Sequence, residues 1–238
     1  MYRFFAVIIV SLCCSGCLDV YLDIIIHPDG SYTLRKTAAI EQALFDQLNS
    51  YQHLADSSKE ISRSEMIDTM KNSMLWERPV FEKMKGVTSY SLKDSTNDST
   101  VFFITELTAA KTAPLEPVVM TLFKSLDGKD HPDDPSSPKL TFKITSKGTK
   151  KIIDVGIPSN KKKPSSEEDK KMIESMFGRH GFHFRVFSPD LSQSSDHNLT
   201  VISDGLSWDV PLATLADPSA MRTKSVKFIL APAKKKKS

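Results

Sequence analysis

The three thiols of this chain, Cys13, Cys14 and Cys17, all lie at its start, so a chain that loses its first sixteen residues keeps only Cys17. Such a chain can form no internal disulfide and must fold by packing alone. The other side chains with chemical potential are histidines and acids. Arg179-His180-Gly181-Phe182-His183 holds two histidines three residues apart, a spacing that shares a face on a helix but splits across a strand. Gly178 and Gly181 favour a loop entering a strand, and zinc would require further ligands that this segment does not supply. Asp127, Asp130, His131, Asp133 and Asp134 form an acidic cluster of oxygen donors, but their spacing is not that of a calcium loop, and a solvated connector is the better reading. There is no Gly-x-Ser-x-Gly elbow, His-Glu-x-x-His helix or glycine-rich phosphate loop. The sequence therefore assigns no catalytic residue, no metal ligand and no cofactor.

The segment carrying the thiols has its own pattern. Arg3 precedes an apolar run from Phe4 to Cys14, and small residues follow. A basic start, a short apolar stretch and a small-residue end make a secretory signal. The run is too short for a spanning helix, which needs roughly 20 apolar residues. Its end, Cys14-Ser15-Gly16-Cys17, resembles the lipobox of bacterial lipoproteins, although Cys14 stands where that pattern usually has Leu. The resemblance implies cleavage between Gly16 and Cys17 and lipidation of the Cys17 thiol. It further implies two or three acyl chains, palmitate among them, enough to hold a protein stably on a membrane. Leu18 after the cysteine leans towards the outer membrane, where an Asp would imply retention at the inner one. The expected location is the bacterial cell envelope, periplasmic or surface-exposed.

Removing residues 1–16 takes away only Arg3 and lowers the net charge from +3 to +2. So balanced a surface gives no reason to expect a nucleic-acid partner. The remainder is long enough for one large domain or two small ones. Residues 17–230 read as a lipid-anchored domain with a candidate sub-boundary near 127–138, and residues 231–238 as a disordered basic tail. That tail, with Lys234 to Lys237, is read first as a solubilising end and second as a contact for anionic lipid.

The elements that would position any site follow from local signals. Pro28-Asp29-Gly30 between two apolar runs predicts a hairpin, with Val20, Leu22, Ile24 and Ile26 on one face of its first strand. So short a tether to Cys17 would set this hairpin close to the membrane. Ile40, Leu44, Leu48 and Tyr51 recur at helical spacing. Ser62 and Glu65 form a capping box before the stripe Met66, Met70, Met74, and Pro79 divides that helix. Further hairpins are expected around residues 94–99, at Gly148 and at Asp204-Gly205, with helices at 116–126 and from Ser165 or Ser166 to Gly178. Together they predict an α+β domain with a mainly antiparallel sheet built from hairpins and about three to four interspersed helices.

A strand starting at the lipobox cysteine, the Pro28-Asp29-Gly30 hairpin, helices, a Gly86-Val87 strand and the late Asp204-Gly205-Leu206-Ser207-Trp208 hairpin resemble the LppM-type envelope lipoproteins. That family has no established catalytic residues, so the resemblance implies a binding role alone. The expected function is a membrane-anchored envelope lipoprotein with a non-catalytic binding or scaffolding role, and an envelope protein or glycolipid as partner. The second reading is a carrier of lipid or another apolar ligand, with the sheet and the Met66/Met70/Met74 helix around a cavity. The third is a hydrolase whose site, around His180 or His183, is assembled in space.

Overall fold

The computed structural model describes residues 18–43, 45, 62–126, 140–157, 171, 180–192, 196–212, 214 and 225–231. The first hairpin forms where the sequence places it. β1 (Leu18–Ile26) and β2 (Tyr32–Glu41) pair antiparallel from Leu18↔Ile40 to Ile26↔Tyr32. Gly30 supplies the left-handed turn at φ 85°, and Asp29 Oδ1 accepts the Ser31 N–H at 2.9 Å. The turn lies at the far end of a nine-residue strand, roughly 30 Å from Leu18. A short tether at Cys17 would fix only the Leu18 end of β1, and the expectation of a membrane-proximal turn does not follow from it.

β3 (Val87–Thr96) and β4 (Thr100–Ala109) form the second hairpin, closed by Asn97 Oδ1 accepting the N–H groups of Ser99 and Thr100. β5 (Thr141–Lys147) turns at Gly148 into β6 (Lys150–Gly156). β7 (Gly181–Phe187), β8 (Thr200–Ile202), β9 (Gly205–Pro211) and β10 (Ser225–Leu230) complete the strands. They build a seven-stranded sheet in the order β3-β4-β2-β1-β7-β9-β8 and a three-stranded sheet in the order β10-β6-β5.

The expected class is corrected by this architecture. The protein is mainly β, with two helical stretches whose bounds lie among the described residues rather than three to four helices. The large sheet is mixed, because β1 runs parallel to β7. One reason for the difference lies at Ile40, which opens the expected 40–51 helix. Ile40 sits instead in β2, paired with Leu18 on one side and Val101 on the other, and the helical residues begin only at Gln42, with Ala43 and Phe45. Residues 46–51, and most of the helix expected at 165–178, lie outside the described residues.

The first helical stretch is α1 (Arg63–Met74), a 3₁₀ turn (Leu75–Glu77) and α2 (Arg78–Glu82). Ser62 and Glu65 form the predicted capping box, and Pro79 sits in the first turn of α2, where its missing N–H leaves no bond unmade. The second is α3 (Leu115–Leu126). Among the described residues, no helix is long and apolar enough to cross a membrane.

One face of the large sheet is covered by two separate bodies. Leu22, Ile24, Leu34, Leu107, Phe184 and Trp208 pack against Phe142, Ile153 and Phe228 of the small sheet, together with Val118, Val119 and Leu122 of α3. Phe184 lies between Phe142 and Phe228, with ring centroids 6.1 and 5.5 Å away. Fully burying each such side chain contributes about 1.5–3 kcal/mol. The second cluster holds Met66 and Met70 of α1 against Ile40, Phe45, Val101 and Phe103.

On this same apolar face stands Lys36, 7% exposed, ion-paired with Glu77, 2% exposed, from the 3₁₀ turn. Glu77 Oε2 has no hydrogen-bond partner among the described residues. A buried pair of this kind adds little net stability, yet removing one member leaves an uncompensated charge. Lys36→Met should therefore lower the unfolding free energy by about 3–5 kcal/mol. The double variant Lys36→Met/Glu77→Leu should recover most of that loss, as urea unfolding would show.

Candidate functional site

The opposite face of the large sheet carries the charges. Strand alternation turns Leu22 and Ile24 inward, which turns Asp19, Tyr21 and Asp23 outward. The registers then align two polar rows across six strands. The first runs Ser91, Glu106, Arg35, Asp23, Arg185, Ser207 from β3 through β4, β2, β1 and β7 to β9. The second runs Lys93, Ile104, Thr37, Tyr21, His183, Asp209 over the same strands.

Within the first row the charges alternate in sign. Arg35 donates from Nε and Nη2 to Glu106 Oε2 at 3.0 and 2.8 Å. Arg185 grips Asp23 with two bonds, Nε to Oδ1 at 2.6 Å and Nη2 to Oδ2 at 2.9 Å. This fork-to-carboxylate geometry is the strong form of an ion pair. Asp23 is 3% exposed even on the outward face, because its neighbours cover it. The Arg185 guanidinium also lies 4.7 Å from the Tyr21 ring centroid and 5.8 Å from that of Phe187, within cation–π range. The Asp23, Arg35, Ser91, Lys93, Glu106 and Arg185 side chains, with Thr37 and Ile104, line an open depression of ≈ 320 Å³.

Beside it lies a histidine–carboxylate cluster. His183 Nδ1 is 2.7 Å from Asp209 Oδ1, its Nε2 is 3.7 Å from Asp19 Oδ1, and its ring stacks on Tyr21 at 4.5 Å. His180 Nδ1 is 3.3 Å from Asp19 Oδ2, and Asp19 Oδ1 accepts the Gly181 N–H at 2.7 Å. Burial alone would raise the Asp19 carboxyl, but its bonds to His183, Gly181 and His180 outweigh that and hold it below the ordinary value. This is no Ser–His–Asp relay, since Ser207 Oγ donates to Asp209 Oδ1 and His183 has carboxylates on both sides.

Three-residue spacing suggested that His180 and His183 would lie on opposite strand faces. The structure brings both to Asp19, because His180 precedes β7 and is not bound by strand alternation. Among the described residues no group of three or more histidines, cysteines or acids is arranged to hold a metal ion. Met66 and Met70 are core, and Met74 packs on the same cluster. Gly16, Cys17, the acidic cluster from Asp127 to Asp134 and the Lys234–Lys237 tail lie outside the described residues. Sequence reading missed Asp19, Asp23, Arg35, Glu106 and Arg185. For Asp19, Asp23 and Arg185 the signal is a charge between apolar neighbours within a strand, as in Leu22-Asp23-Ile24 and Phe184-Arg185-Val186, a pattern that Arg35 and Glu106 do not share.

No family model matches the chain, and no curated protein matches it. Among solved structures it is similar to the NMR structure of the folded domain of LppM from Mycobacterium tuberculosis, with a TM-score of 0.44. Sequence identity is 10%, and the alignment covers 91% of each chain. At that level of likeness no property of LppM is carried over to this chain.

The Arg185–Asp23 pair gives a direct test of the outward face. Arg185→Met should cost about 2–3 kcal/mol in chemical denaturation, less than a wholly buried pair because the guanidinium is partly exposed. Arg185→Lys should fall between, keeping the charge and losing the fork.

Proposed function

We propose that the chain is a bacterial envelope lipoprotein, anchored through lipid on Cys17, with a non-catalytic binding role exercised by the outward face of the large sheet. The observation that carries this reading is the pair of aligned polar rows spanning six strands, with Lys93 exposed in the depression between them. Fixed charges of both signs disfavour a uniformly charged polymer and suit a partner surface of mixed polarity, such as an envelope protein or a glycolipid headgroup. The small residues before Cys17 support the anchor. β1 begins at Leu18, so the tether would join the sheet almost without a linker.

The carrier reading is the weaker one. Met66 and Met70 fill the space between α1 and the sheet, with Phe45 and Phe103 packed against them. A hydrolase is disfavoured because the bonds of His183 run to carboxylates and to no nucleophile.

Two measurements test the proposal. Fractionation should find the wild-type chain in the membrane and a Cys17→Ser form soluble and folded; a Cys17→Ser form that stays membrane-bound contradicts the anchor. For the face, amine-reactive labelling in intact envelopes, compared with purified protein, should protect Lys93 and leave Lys147 of β5 unprotected. Equal labelling of the two lysines would contradict a binding role for this face.

A further inference from the structure

The large sheet is two antiparallel sets of strands, β3-β4-β2-β1 and β7-β9-β8, joined along the parallel β1–β7 ladder. At the Leu18 end of that ladder stands His183, enclosed on several sides. Tyr21 of β1 stacks on its ring at an interplanar angle of 13°. Asp19 of β1 faces Nε2 and Asp209 of β9 faces Nδ1. The ring also lies over Gly181, where an added Cβ would come within 3.0 Å of Nε2. The remaining charged or titratable neighbours are His180, which shares Asp19 and reaches Glu41 of β2 at 3.7 Å, and Arg185, two residues along β7.

A neutral imidazole has one N–H to give. It can serve Asp209 or face Asp19 as a donor, but not both, and the other carboxylate then meets a lone pair. A protonated ring donates in both directions, neutralises the local acid excess and places a cation against the Tyr21 face. We propose that His183 is a proton-operated latch on the β1–β7 seam, closed when the imidazolium bridges Asp19 and Asp209 and loosened when the ring is neutral. The latch concerns the seam itself and stands apart from the binding role of the outward face.

The two carboxylates, Asp19 and then Asp209, raise His183 above its ordinary 6.5 against the opposing effect of burial. A raised histidine contributes stability that is fully present below 6.5 and lost as the pH climbs through the folded-state value. Asp19 sets the acid limit: held below 3.8, its contribution is present above that value and lost as the pH falls through the lowered one. The latch is therefore closed in mildly acidic surroundings and opens towards alkaline pH.

The test uses the full chain in detergent micelles. NMR should place the His183 ring midpoint above 6.5, and Asp209→Asn should lower it. Between pH 6 and 9 the wild-type melting temperature should fall relative to His183→Gln by about 3–5 °C for each tenfold rise in proton affinity. A His183 midpoint at or below 6.5 would overturn the proposal, as would one unmoved by Asp209→Asn, or a His183→Gln variant that tracks the wild type throughout. Should His183→Gln fail to fold, the Asp209→Asn midpoint decides alone, since that variant keeps the histidine.

Discussion

The parallel pairing of β1 with β7 is the contact on which the rest of the structure depends. It joins residues 162 positions apart in the chain, as between Asp23 and Arg185, and so carries a large loop-closure cost. Both faces of the ladder offset that cost. Inward, Leu22, Ile24, Phe184 and Val186 enter the main core. Outward, Arg185 holds the Asp23 carboxylate with two bonds, and Asp19 takes the Gly181 N–H. Without this seam the two polar rows would each end at β1, and neither Asp23 nor Asp19 would have its partners.

The seam also explains why the two faces of one sheet differ so sharply. The inward face has a small sheet, α1 and α3 to pack against, and a buried ion pair, Lys36–Glu77, stands on the same face as two apolar clusters. The outward face pairs its charges laterally, strand to strand, which lets a strand as apolar as β1 carry Asp19 and Asp23 without burying an unpaired charge. Lateral pairing fixes the long Arg35 and Arg185 side chains in place. A face ordered in this way loses less side-chain freedom on meeting a partner than one made of loose lysines would.

What the sequence made legible was local. Pro28-Asp29-Gly30 and Gly148 specify their turns through left-handed glycines, Gly205 leaves room for the Val186 carbonyl of β7, and Ser62 with Glu65 starts α1 through bonds only three residues apart. What it did not make legible was long-range. Nothing near Asp23 names Arg185 as its partner, and nothing near Ile40 shows that ladders with Leu18 and Val101 will hold it in β2 and delay the helix to Gln42. The candidate site was half visible, in that His180 and His183 stood out, but their shared partner Asp19 comes from the other end of the chain.

The central claim is that the β1–β7 seam makes the two sets of strands one cooperative unit. Native-state hydrogen exchange across a denaturant series reads this directly, through the amides of β1 and β7. The seam predicts that exchange from both strands merges into a single unfolding isotherm. Protection of β7 and β9 lost at low denaturant while β1, β2 and β4 stay protected would contradict it.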